Sequence, residues 1–290
     1  MNWTNYDEKL IRRGEILLDL SFLASYNQDL SSMNINKIGR PFALTDGYIE
    51  FLTVVRYLFN MPYRQLEGFT RSLNRLVTSL PCVDYSSIRK RSLNLDLDLA
   101  SVLRGSDAPI EIAVDSSGIK VHRSGGWIER KHGKKKRYIK IHFAVNVETK
   151  EVVAMDVTTD GVHDSKLFCN MLNMATENGD VSKVYGDGAY DSSEIYELLK
   201  SNGIDVAIKP RENSRTDTPS DARRYEVKLY KNKGYKKWVK SKKYGKRWSV
   251  ETAYSTFKRI FGESCRAMTI SNIIKEIIAK VYIYNMIINL

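Results

Sequence analysis

The chain has 290 residues, 42% of them hydrophobic, so it can bury one large core or two modest ones. Its 46 Lys and Arg against 34 Asp and Glu give a formal charge of +12, which suits a polyanionic partner because clustered cations release counterions from phosphates; a ribosomal or simply basic soluble protein would share that charge. Cys82, Cys169 and Cys265 are widely separated and form no C-x-x-C, which argues against a disulfide scaffold or a zinc ribbon and for reduced core thiols in a cytosolic protein.

The first hundred residues are helical in pattern. Apolar residues recur at three- and four-residue spacing over Glu15 to Leu23 and again over Leu44 to Phe59, where Thr45 or Asp46 can cap the second helix. The opening MNWTNYDEKLIRR has no apolar stretch behind a basic start, so a signal peptide is not expected. Tyr63 to Leu76 reads as one helix and Ser86 opens another, with Ile88, Arg89, Lys90 and Arg91 in its first turns. The pair is consistent with a helix-turn-helix whose second helix presents Arg89 and Arg91 to guanine edges, or with a helical hairpin in a bundle.

The turn-rich GSDAP at Gly105 to Pro109 marks a boundary between a helical region over 1–105 and a second domain over 106–290. Strand-like runs follow at Ile110 to Val114, Tyr138 to Val147 and Val152 to Val157. A helix over Ser165 to Ala175, a strand at Val181 to Tyr185, a helix at Ser192 to Lys200 and a strand at Ile204 to Ile208 complete an alternating α/β pattern. A basic insertion occupies about 211–246; its core, KLYKNKGYKKWVKSKKYGKR, interleaves Tyr230, Tyr235, Trp238 and Tyr244 with Lys236, Lys237, Lys242 and Lys243. Aromatic faces beside a cationic track suit DNA ends, and the plainer reading is a solvated loop. A shorter cluster, Arg130 to Arg137, sits on an expected hairpin loop. The stretch from Ile273 to Leu290 is apolar but interrupted by Lys275, Glu276 and Lys280, which fits a packed amphipathic helix rather than a membrane span.

Chemistry concentrates in YGKRWSVETAYSTFK, where Tyr244, Arg247, Glu251 and Lys258 are spaced Y-x2-R-x3-E-x6-K. On a helix Arg247 and Lys258 fall within about 40° of Glu251, so a carboxylate and two cations share one face. Asp115 in EIAVDSSG and Asp187 in KVYGDGAY each follow a short β-type run. Two aspartates from strand ends and a glutamate from a late helix make a site for a hard cation. Each has an ordinary reading too: a turn residue for Asp187 before Gly188, and a surface pair for Arg247 and Glu251.

On these residues the chain resembles the insertion-sequence DDE transposases of the Y-R-E-K signature group, over roughly Ile110 to the C-terminus, and Asn2 to Leu23 is similar to the start of some archaeal and bacterial members. The resemblance implies an RNase H-like α/β catalytic domain, a mixed sheet flanked by helices, behind an N-terminal helical DNA-end-binding region. It implies that Asp115, Asp187 and Glu251 hold two Mg2+ or Mn2+ ions for DNA cleavage and strand transfer, Asp115 bridging both, and that Tyr244, Arg247 and Lys258 contact DNA. The implied partners are double-stranded DNA, as terminal inverted repeats and target, and further copies of the chain; the implied location is the prokaryotic cytoplasm, at the nucleoid. A related nuclease without strand transfer and a repurposed, non-catalytic DNA-binding protein are the alternatives. His163 and Asp164 in TTDGVHDSK resemble the family's polar turn before a helix: Asp164 is expected to cap that helix and His163 is an accessory candidate on the substrate side. Asp191, four residues after Asp187, is a candidate to support the acid site or, as the plainer reading, the cap before Ser192, and His122, His132 and His142 lack the cysteine partners of a zinc site.

Overall fold

A computed structural model describes residues 3–121, 138–159 and 161–290, without the side chains of residues 5, 6 and 9. The chain divides into two compact units, Met1–Asp98 with Lys275–Ile283 and Leu290, and Leu99–Ile274 with Tyr284–Asn289.

In the larger unit, apolar runs build β1 (Ile110–Val121), β2 (Tyr138–Asn146), β3 (Val152–Thr159), β4 (Val181–Gly186), β5 (Asp205–Ile208) and the short β6 (Ser264–Cys265). The strand order is β3-β2-β1-β4-β5, with β6 joined to β1. β1 runs antiparallel to β2 and parallel to β4, and β4 runs parallel to β5. This is the mixed sheet flanked by helices that the resemblance implied. Successive β1 side chains alternate between two covered faces. On one face Ile112 and Val114 pack with Phe168, Met171 and Leu172 of α6 (Phe168–Glu177) and Ile195, Tyr196 and Leu199 of α7 (Ser193–Ser201). On the other, Phe143 stacks on Tyr254 at 4.6 Å and meets Phe257 edge-on, both from α9 (Trp248–Phe261).

β1 runs seven residues beyond the Val114 expected as its end, because Asp115 to Lys120 pair in unbroken register with β2 and Lys120 and Val121 pair with β6. Asp115 therefore lies within a strand, just past Ala113, the last β1 residue paired with β4. The basic tract is helical: α8 (Asp221–Lys242) starts where Ser220 accepts the Arg223 N–H, and it kinks at Gly234, whose φ of 69° no helix accommodates. Trp238 organises the tract by packing between Tyr230 and Tyr244.

In the smaller unit, α1 (Trp3–Glu15) and α2 (Tyr26–Asn34) precede α3 (Asp46–Leu58), α4 (Tyr63–Leu76) and α5 (Tyr85–Asn94). Thr45 accepts the Tyr48 N–H, as expected, and Asp84 caps α5 through Ser86 and Ser87. Tyr48, Ile49, Leu52, Leu66, Leu73 and Ile88 form its core. The helix expected over Glu15 to Leu23 is instead two 3-10 turns, Ile16–Leu18 and Ser21–Ala24, because Asp19 takes the Ser21 N–H at 2.9 Å and competes with the helical pattern. The last helix, α10 (Ile270–Ile288), supplies residues to both units, and its Glu276 and Lys280 form a buried ion pair at 2.8 Å. Among the described residues no helix is long and apolar enough to cross a membrane. Of the three cysteines only Cys265 is buried; Cys82 and Cys169 are exposed, against the core position expected of them.

Candidate active site

Three acids meet beside the middle of β1. Asp115 projects from the α9 face, Asp187 is the first residue after β4, and Glu251 sits in the first turn of α9. Asp187 accepts the Ala189 N–H at 2.8 Å and so starts a one-turn 3-10 helix, the turn role that its place before Gly188 suggested. α9 is docked by Tyr254, whose hydroxyl lies 2.8 Å from the Asp115 carbonyl and 3.0 Å from that of Ile141, and by its buried Val250, Ala253 and Phe257 at helical spacing. This docking brings Glu251 to Asp115, with Arg247 pairing with both: it contacts Asp115 Oδ2 at 3.5 Å and donates to Glu251 Oε1.

Burial first, and then the charges of Asp187 and Glu251, push the Asp115 carboxyl up to about 6 against the opposing pull of the Ser116 N–H and Arg247. Three mutually repelling carboxylates served by one guanidinium form an all-oxygen donor set that suits Mg2+ or Mn2+. Among the described residues no group of three or more His, Cys, Asp or Glu is placed so that it could hold a metal ion. The oxygen donor types suit a hard divalent ion, while Arg247 pairs with both Asp115 and Glu251. Lys258, two turns on from Glu251, reaches β1 and donates to the Ser117 hydroxyl at 2.8 Å.

Residues 107–286, more than half of the chain, match the family model described as transposase DDE domain, and a second model of the same description matches residues 11–124. The chain belongs to the transposase DDE domain family. Among solved structures, the chain is similar to a piggyBac transposase synaptic complex with hairpin DNA at 12% identity and a TM-score of 0.44, covering 95% of this chain and 73% of that one. The Drosophila P element transposase strand transfer complex follows at 9% identity and 0.36, covering 67% and 47%, and a simian T-cell lymphotropic virus intasome at 14% and 0.27, covering 72% and 75%. The family assignment rests on the sequence match, since all three scores lie below 0.5.

In this transposase several of the expected DNA-contacting side chains are committed elsewhere. Trp238 is wholly buried, so its ring has no face to offer a base. Lys242 is buried and pairs with Glu226 at 2.8 Å, and Tyr244 is buried with its hydroxyl on the Gly186 carbonyl at 3.1 Å. Arg91 is partly buried and donates to Asp46 at 2.6 Å and to the Leu44 carbonyl at 3.2 Å. Trp238, Lys242 and Tyr244 are buried because aromatic and long-chain cationic residues pack their apolar parts wherever a core is within reach. Lys236, Lys237, Lys243 and Arg89 are exposed. The Arg130 to Arg137 cluster, His122 and His132 lie outside the described residues.

His163 is exposed and precedes a 3-10 turn, while the Asp164 side chain does not cap it. Asp164 accepts instead from Ser116 Oγ at 3.0 Å and Lys140 Nζ at 2.6 Å. Asp191 is not a cap either; Ser192 takes that place, and Asp191 lies buried against Arg223. Lys140, Ser116, Arg223 and Tyr254 escape a reading of local sequence, since each acquires its partner only across strands or between distant segments.

Proposed function

We propose that this transposase cuts DNA at the ends of its own mobile element and joins them to target DNA, with Asp115, Asp187 and Glu251 as the ligands of two Mg2+ or Mn2+ ions, and that it belongs to the Y-R-E-K group. The observation that carries the proposal is the junction of Asp115 and Glu251 at Arg247, within the field of Asp187. A bound metal pair supplies an activated oxygen nucleophile and charge stabilisation for the departing oxyanion. The chain's own groups prepare that chemistry. Ser116 N–H orients Asp115 Oδ1 at 2.8 Å, Tyr254 anchors the strand beneath it, and Arg247 steadies Glu251 until a phosphate or a cation competes for either partner. Lys258 lies near enough to β1 to take a phosphate of the cleaved end. Residues 1–105 form the end-binding region, with Arg89 exposed on α5, and copies of the chain pair the two ends on DNA in the prokaryotic cytoplasm.

The experiment is strand transfer of a pre-cleaved terminal-repeat duplex into plasmid DNA with Mg2+. Joined products support transposition; cleavage without joining favours a nuclease, and neither reaction favours a repurposed binding protein. Glu251→Asp retracts the carboxylate by about one methylene, several times the roughly 0.2 Å tolerance of metal–ligand distances, so turnover collapses while end binding survives. Lys258→Ala weakens the complex with the cleaved end more than it disturbs metal affinity. Titration calorimetry with Mn2+ and end-binding titrations separate the two defects; normal turnover in Glu251→Asp together with normal end affinity in Lys258→Ala would sink the signature reading.

Neutralising Lys236, Lys237 and Lys243, all exposed, lowers the slope of log affinity against log salt by about 0.9 for each duplex phosphate left without its cation. Binding isotherms across a salt series check this, and an unchanged slope means the exposed side of α8 is only solvated.

A further inference from the structure

Asp164 enters the acid site from the sheet face opposite α9. It stands in the turn after β3, and its carboxylate, only 11% exposed, accepts from Ser116 Oγ at 3.0 Å and Lys140 Nζ at 2.6 Å. The pairing of β1 with β2 explains why these groups converge. Ser116 lies opposite His142 and Gly118 opposite Lys140, so Ser116, His142 and Lys140 share one face, while Asp115 points to the other. Ser116 is thus the link between the two sides: its backbone N–H holds Asp115 Oδ1 at 2.8 Å and its hydroxyl holds Asp164.

Two buried polar atoms border this link without a hydrogen-bond partner among the described residues. One is the Tyr190 hydroxyl, on a side chain with no exposed surface; burial holds its phenol well above the usual range, and the negative charges acting on it are those of Asp164, Asp115 and Asp187. The other is Nδ1 of the fully buried His142, 3.7 Å from Asp164 Oδ1, while its Nε2 is engaged by Thr158 at 2.9 Å. Buried polar atoms cost stability when unpaired, and these two lie where the core that holds Tyr190 with Ile112, Val114 and Phe168 borders the acids. Asp164 is also bound too tightly to serve only as a turn residue: a charged donor and a hydroxyl occupy both its oxygens.

We propose that Asp164 is a positioning residue of the transposase active site, which through Ser116 fixes the Asp115 carboxylate for metal binding and holds the Lys140 ammonium beside it. The proposal rests on the reading of Asp115 as a metal ligand. The hydroxyl bond from Ser116 to Asp164 restricts the peptide whose N–H orients Asp115, so loss of either end frees the Asp115 carboxylate to rotate. Partners that orient a metal ligand are worth about 10–100-fold in metal affinity.

The test is Mn2+ affinity of the full-length chain, read from the electron paramagnetic resonance signal of free Mn2+, with thermal melting in parallel. Asp164→Asn and Ser116→Ala each weaken Mn2+ binding by about 10-fold or more. Their double variant is no weaker than the weaker single one, because both cut the same link. Ser116→Thr, which keeps the hydroxyl, restores affinity to near wild type. Wild-type affinity in both Asp164→Asn and Ser116→Ala, alongside a defective Asp115→Asn, overturns the positioning role and leaves the active-site reading intact. Undiminished affinity in Asp115→Asn overturns that reading and this proposal together. If Asp164→Asn fails to fold because Lys140 loses its counter-ion, the contrast between Ser116→Ala and Ser116→Thr decides: equal affinity in the two overturns the proposal.

Discussion

Asp115→Asn abolishes Mg2+-dependent nicking of a terminal duplex and at the same time raises the melting temperature of the metal-free protein near neutral pH. Both effects come from one carboxylate. The amide keeps the side chain's shape but loses the charge that a divalent ion requires, so nicking falls below detection while DNA binding persists. The gain in stability follows from the site's electrostatics: burial, Asp187 and Glu251 push the Asp115 carboxyl from 3.8 up to about 6. Below about pH 3 the group is protonated whether the chain is folded or unfolded. As pH rises through the window between 3.8 and about 6, the unfolded chain releases its proton first, so folding loses stability across that window. With the Asp115 side chain 22% exposed, the loss is partly screened and amounts to about 1–3 kcal/mol, at about 1.4 kcal/mol per unit. Asp115→Asn escapes it. Melting curves in EDTA from about pH 3 to about pH 8 check the sign: the variant and wild type converge at the acid end and separate as pH rises. Equal melting temperatures at neutral pH would show that the acids do not strain the metal-free fold, and undiminished nicking would remove Asp115 from the site.

The second large effect lies at Arg223. Its Nε and one Nη grip the two oxygens of Asp191 at 2.7 and 3.0 Å, and Asp191 has no exposed side-chain surface. Burial raises the Asp191 carboxyl, but Arg223, the Arg211 N–H and the Ser214 hydroxyl more than offset it and hold the group below its usual range. Arg211 also donates from Nε to the Gly188 carbonyl at 2.7 Å, which ties this cluster to the turn that begins at Asp187. Arg223→Met leaves a buried carboxylate without its counter-ion and costs about 3–5 kcal/mol, whereas Arg223→Met with Asp191→Leu recovers most of the loss because no unpaired charge remains. Urea unfolding of both variants measures this. A loss below about 1 kcal/mol in Arg223→Met, or no recovery in the double variant, would show that the pair is not the clamp on this turn.

Local pattern carried a large part of this protein. The run of Val, Ile and Ala before Asp115, the β-type segment before Asp187 and the helical spacing of Arg247, Glu251 and Lys258 are properties of a few neighbouring residues, and strand and helix periodicity turns them directly into positions on a face. Thr45 as a cap and the bounds Tyr63–Leu76 of α4 were legible for the same reason. Misreadings arose where a side chain had two local uses and a distant partner chose between them. Trp238 and Lys242 look like a DNA-binding track until Tyr230, Tyr244 and Glu226 bury them. Arg91 looks free until Asp46 claims it, and Asp191 looks like a cap until Arg223, 32 residues away, reaches it. Asp164 is the clearest case: beside a helix start it reads as a cap, and only the register that sets Ser116 opposite His142, two residues along from the pairing of Gly118 with Lys140, turns it toward the acids. The sequence by itself determined most of the elements and, through its motifs, the family, and it pointed to the acidic residues of the proposed site, because these rest on patterns within short windows. The tertiary structure alone decided which cations remain exposed and which polar groups flank the acids, because strand register and helix docking join residues that no local pattern relates.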